Sequence, residues 1–199
     1  LRFLTDSSKK GILVCNIAAS RLILPSPTGF KESIIRIAVG EEYDQQDLLH
    51  KLKEIGYRKV TQVQTQGEFS IRGDILDIFE MSQLEPFRIE FFGDEVDGIR
   101  TFEVETQLSK ENQTELIIFP ASDILLRERD YIRGQSALEK QISKTLSAIL
   151  KSYLEEILSS FHQRQVHSDS RKFLSLCYDK TWTIFDYIEK DTPVFFDDY

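Results

Sequence analysis

Two neighbouring segments hold the side chains best suited to recognition chemistry: residues 67–79 (GEFSIRGDILDIF) and residues 87–99 (FRIEFFGDEVDGI). If the second opens as a strand, its side chains alternate between two faces. Phe87, Ile89 and Phe91 then point one way, and Arg88, Glu90 and Phe92 the other. Phe92 lies roughly 13 Å along the strand from Arg88 on that second face. An aromatic and an arginine on a solvent-facing strand have the composition of a protein-binding hot spot. The competing arrangement buries Phe92 in a second core and pairs Arg88 with Glu90 or Asp94. Alternation alone leaves both open.

Other chemistries are weaker. Asp74, Asp77, Glu90, Asp94 and Glu95 are a carboxylate set of the kind that holds Mg²⁺ in nucleases. Their spacing does not demand a metal, and acidic residues are common in turns. Residues 193–198 (PVFFDD) have the apolar strand and acidic end of a Walker B motif, in which Asp197 or Asp198 would hold Mg²⁺ or orient a water. The sequence contains no G-x-x-x-x-G-K-[ST] phosphate cradle, so the pair reads as a degenerate Walker B-like end. No nucleophile–base arrangement can be argued, and the chain is expected not to be an enzyme.

The elements that must position these residues follow from periodicity. Strands are predicted at 60–63, 67–71, 75–79, 87–92 and 99–104, separated by breaks at Gly67, Gly73, Pro86, Gly93 and Gly98. A helix precedes them, capped by Asp44, with Asp47 in its first turn and Gly56 as its stop. Its apolar face is Leu48, Leu49, Leu52 and Ile55. One helix over a twisted antiparallel sheet is the economical arrangement. Upstream, residues 11–17 (GILVCNI) read as a buried strand and 34–39 as a short one. Downstream come a buried strand at 116–119 and one long helix from Ser136, capped by a Ser136–Glu139 box. Leu138, Ile142, Leu146, Ile149, Tyr153, Ile157 and Phe161 give that helix a continuous stripe. Helical segments at 171–178 and 181–188 and a strand at 193–196 complete the chain.

The 199 residues carry 33 acidic and 25 basic side chains, a net charge of −8, with 14 Phe and 7 Tyr to build a core. Residues 41–115 hold 18 acids and 8 bases, a balance of −10, whereas the flanks sum to +2. The middle is thus a compositional unit, read as a domain inserted at 41–115 between flanking pieces at 1–40 and 116–199. Such acidity argues against phosphate tracking along nucleic acid. No apolar run is long enough to span a membrane, and two distant cysteines suggest neither disulfides nor zinc. A cytoplasmic location is expected. The only methionine is Met81, so the chain is read as a fragment of a longer reading frame.

GEFSIRGDILDIF followed by FRIEFFGDEVDGIR resembles domain 2 of the bacterial transcription-repair coupling factors (Mfd) and of the related excision-repair protein UvrB. WTIFDYIEKDTPVFFDD is similar to the stretch that enters the UvrB Walker B strand, and the resemblance spans essentially the whole chain. Lacking a P-loop and a long hairpin before this domain, the sequence resembles the amino-terminal UvrB-homology module of Mfd more than UvrB itself. The fold so implied is α/β (α+β). A degenerate RecA/UvrB-like domain 1 remnant (1a at 1–40, helical 1b at 116–199) carries an inserted sheet-plus-helix domain 2 at 41–115. The function implied is recruitment of UvrA, through the positions that match Arg72, Arg88 and Phe92; Glu90, between them on the same face, is expected to orient Arg72 or Arg88. Alanine at Arg88 or Phe92 is expected to weaken that binding without unfolding the domain. RNA polymerase and DNA are engaged by other parts of the family's full-length protein, whose motor uses ATP and Mg, and a carboxy-terminal domain masks the UvrA site. No cofactor is expected in the present chain. The alternative is a UvrB-type fragment that binds damaged DNA.

Overall fold

The structure, a computed structural model, describes residues 1, 4, 11–164, 166 and 169–196. Asp197 and Asp198 lie outside the described residues. The chain divides into two units, one formed by Thr28–Leu125 and the other by the segments on either side.

The first unit is a mixed helix and sheet fold. After β1 (Ile35–Ala38) comes α1 (Gln45–Glu54), then β2 (Arg58–Lys59), β3 (Glu68–Arg72), β4 (Ile75–Ile78), β5 (Phe87–Phe92), β6 (Glu95–Phe102), β7 (Ser109–Gln113) and β8 (Glu115–Ile118). Strands β2 to β7 form one six-stranded sheet in sequence order, antiparallel except for the short parallel β2–β3 pair. β1 and β8 make a separate antiparallel pair. The Asp44 carboxylate accepts the Asp47 N–H at 2.9 Å and caps α1. Leu48 and Leu52 of this helix and Ile55 at its C-terminal cap are buried with Phe69, Leu76, Ile78, Phe87, Ile89 and Phe91, the apolar face of the sheet, and with Ile37, Leu116 and Ile118 of the two-stranded pair. Gly56, at φ +95°, ends the helix where a Cβ would lie 2.6 Å from that of Ser122.

Three strands depart from the predicted pattern. The one expected at 60–63 pairs earlier, at Arg58–Lys59, because Val60 and Val63 are drawn into a second apolar cluster with Phe79, Phe102 and Val104. β6 starts at Glu95 and runs through Gly98, which is no break; a bulge between the Glu90–Gly98 and Phe91–Val96 pairs absorbs one residue. β7, sequence SKENQ, is a polar edge strand with no apolar alternation to announce it.

The second unit is helical. Residues 11–16 form no strand and their apolar side chains are exposed; the short helix α2 (Ile17–Ser20) follows them. An apolar run becomes a strand only with a partner, and no described residue pairs with this one. The single long helix is instead two, α3 (Glu128–Lys144) and α4 (Ala148–His162). The first begins eight residues before Ser136, where the Asp130 carboxylate accepts the Arg127 N–H at 2.9 Å. Between them Leu146 is fully exposed, which breaks the stripe, and the Ser147 hydroxyl accepts the Leu150 N–H to start the second. At Gly134 an added Cβ would lie 2.6 Å from Cys177 Sγ and 2.9 Å from the Phe161 ring, so the glycine lets these elements close on one another. The segments expected to be helical at 171–178 and 181–188 contain 3₁₀ turns, Ser170–Leu176 and Ile184–Asp186, and residues 193–196 form no strand. No helix among the described residues is long and apolar enough to cross a membrane.

Candidate partner-binding surface

β-pairing sets the surface. On the face of the sheet opposite α1, Ser70, Asp77, Arg88, Arg100 and Asn112 lie in register across five strands. Arg72 ends β3 and Phe92 ends β5, each followed by a glycine with positive φ, Gly73 at 60° and Gly93 at 65°. Those glycines supply the turn conformation that closes each hairpin and leaves the preceding side chain at its rim.

Asp77 is the hub. Its carboxylate accepts Arg88 Nε at 2.7 Å and Arg88 Nη2 at 2.9 Å, a bidentate pair, and also Arg72 Nη2 at 2.9 Å. The Asp77 side chain is 2% exposed, that of Arg88 15% and that of Arg72 55%. Arg88 further donates Nη1 to the Gln107 carbonyl at 3.3 Å, and its guanidinium carbon lies 4.7 Å from the centre of the Phe102 ring. The hydrogen bond that Arg88 donates to Asp77 raises the Arg88 pKa above its ordinary value, against the lowering effect of burial. Gln107 takes a positive φ of 61°, keeps Nε2 on the Val104 carbonyl at 2.7 Å and leaves Oε1 buried without a protein partner.

Phe92 is 82% exposed, while Phe87, Ile89 and Phe91 are buried on the opposite face. Glu90 does not hold Arg72 or Arg88 by a hydrogen bond; it accepts Arg100 Nη2 at 2.6 Å. It acts on Arg88 only through the weaker attraction of its charge. The expectation for Glu90 is thus corrected, since the nearer acid across the β4–β5 pairing is Asp77. Asp77 was visible in the sequence only as a member of the carboxylate set. That set is dispersed: Asp77 serves two arginines and Glu90 a third, and among the described residues no group of three or more His, Cys, Asp or Glu is placed to hold a metal ion. Alternation from Ile75 already put Asp77 on the face of Arg88, but only strand pairing selects the two as partners.

The arrangement offers one projecting aromatic ring, one half-exposed guanidinium and a buried ion pair on the same face of the sheet. It suits contact with a partner's apolar pocket rimmed by acidic groups.

Residues 35–123 match the family model described as the UvrB interaction domain, a span that takes in all eight strands and α1. The chain is 32% identical over 195 residues to the transcription-repair-coupling factor of Bacillus subtilis (strain 168), an alignment that covers 94% of the chain. It is 35% identical over 199 residues to that of Staphylococcus haemolyticus (strain JCSC1435), covering 96% of the chain. The chain spans 17% of the length of each of these relatives. Residues 35–123 thus carry a match to the UvrB interaction domain, and almost all of the chain is similar to a segment of transcription-repair-coupling factors.

Proposed function

We propose that the chain is a non-catalytic module that recruits UvrA through the Arg72–Asp77–Arg88–Phe92 surface. The observation that carries this reading is the exposure of Phe92 on the sheet face that also carries the Arg72–Asp77–Arg88 cluster, within a matched UvrB interaction domain. A ring held on a strand loses little conformational freedom on binding, so its desolvation in a partner pocket contributes nearly in full. Arg72 adds directed, charge-assisted hydrogen bonds to acidic groups of the partner. In the longer protein this module would join polymerase displacement, driven by ATP and Mg in a motor elsewhere, to excision repair.

The test is titration of purified UvrA with the chain. Phe92→Ala is expected to weaken binding by about 2 kcal/mol or more, roughly thirtyfold. Wild-type affinity in folded Phe92→Ala and Arg72→Ala chains would defeat the reading. Salt-dependent binding to damaged duplex in place of UvrA would favour the damage-binding alternative, which the −10 charge of residues 41–115 opposes.

A further inference from the structure

We infer that Asp77 is the positioning residue of this surface and that Arg88 is its internal brace, so that a partner meets Phe92 and Arg72 and Arg88 acts through Asp77. For its effect on binding, the inference rests on the UvrA-recruiting reading. The two arginines are built differently. Arg88 is 15% exposed and engages all three of its guanidinium nitrogens, two on Asp77 and one on the Gln107 carbonyl, with the Phe102 ring against it. A partner could reach it only by breaking a buried bidentate pair. Arg72 is 55% exposed and, among the described residues, spends only Nη2 on Asp77, which leaves its other donors for a partner.

The geometry also assigns Asp77 a role in charge. One buried carboxylate stands between two guanidinium groups, so the cluster keeps a net single positive charge, presented at its exposed member. Without Asp77 the two arginines would repel each other, and Arg72 would lose the contact that fixes its direction. A single acid therefore sets both the orientation and the net charge that a partner encounters.

Two measurements on the chain separate this inference from the recruiting reading. The first is exchange of the arginine Nε–H protons by NMR in the wild-type chain. Arg88 is expected to exchange at least about tenfold more slowly than Arg72, as a buried bonded donor should. Equal, fast exchange for both would overturn the brace. The second is UvrA affinity in a double-mutant cycle. Asp77→Asn is expected to raise Kd about tenfold, and Arg72→Ala in that background to add no more than about twofold, because both remove the same oriented contact. Full additivity of the two substitutions would overturn the positioning role. If Asp77→Asn does not fold, Arg88→Lys replaces it in the cycle, since it keeps the charge and loses the bidentate hold. Unchanged affinity in Arg72→Ala and Phe92→Ala, with Arg88 still protected, would defeat UvrA recruitment and leave the positioning intact.

Discussion

Arg88 and Phe92 stand four residues apart on β5 and face the same way, yet substitution should affect them in opposite respects. Phe92 is exposed, so Phe92→Ala should change the unfolding free energy by no more than about 0.5 kcal/mol while lowering partner affinity. Arg88→Ala removes the bidentate partner of a carboxylate that is 2% exposed. Loss of one member of a buried pair costs about 3–5 kcal/mol, and the remaining bond from Arg72 places this case near the lower limit. Urea unfolding of the two variants should separate them clearly. The buried pairing thus adds a stability cost to the loss of binding expected at Arg88. Residue type and alternation marked both positions in the sequence. Which one is held and which is offered depended on Asp77, and that partnership is set by pairing between strands rather than by spacing along one.

At the scale of elements, the short parallel β2–β3 pair is clamped by Glu68. Its buried carboxylate accepts the N–H groups of Gln64 and Thr65 at 2.9 and 3.0 Å and Arg58 Nη2 at 2.5 Å. Burial alone would raise its pKa, but these donors outweigh burial and hold it below the ordinary glutamate value. A carboxylate so depressed stabilises the fold above its unfolded pKa of about 4.3 and loses that contribution as pH falls through the folded value. Glu68→Gln should therefore melt earlier than wild type at about pH 7, with the difference narrowing between about pH 5 and 3. Two glycines test element packing. Gly56→Ala forces a side chain into a φ of +95° and against Ser122, at a cost above the roughly 1 kcal/mol of strain alone. In Gly134→Ala the helix-propensity gain of about 1 kcal/mol opposes contacts of 2.6 and 2.9 Å to Cys177 and Phe161. Overpacking of that kind costs about 1–3 kcal/mol, so net destabilisation is expected in thermal melts.

For the whole molecule, burial divides the two cysteines. Cys15 is exposed, while Cys177 is buried and its thiol is pushed up to about 12, chiefly by desolvation. Alkylation at about pH 8 should modify Cys15 and leave Cys177 intact until the second unit unfolds, as peptide mass mapping would show. By itself the sequence determined the α+β class, the Asp44-capped helix and its stop at Gly56, and the two faces of β5, because these follow from local periodicity and end chemistry that each segment carries within itself. Its resemblance to UvrB-like domains also anticipated the match to the UvrB interaction domain. Only the tertiary structure decided which apolar runs became strands. Residues 11–16 found no partner among the described residues, while the polar edge strand β7 found one in β6. It likewise decided that the helix expected from Ser136 folds as two, and that Asp77 rather than Glu90 holds Arg72 and Arg88. The physical reason is the same in each case. Strand pairing, hairpin closure and ion pairing join residues distant along the chain, and their energies depend on what lies opposite.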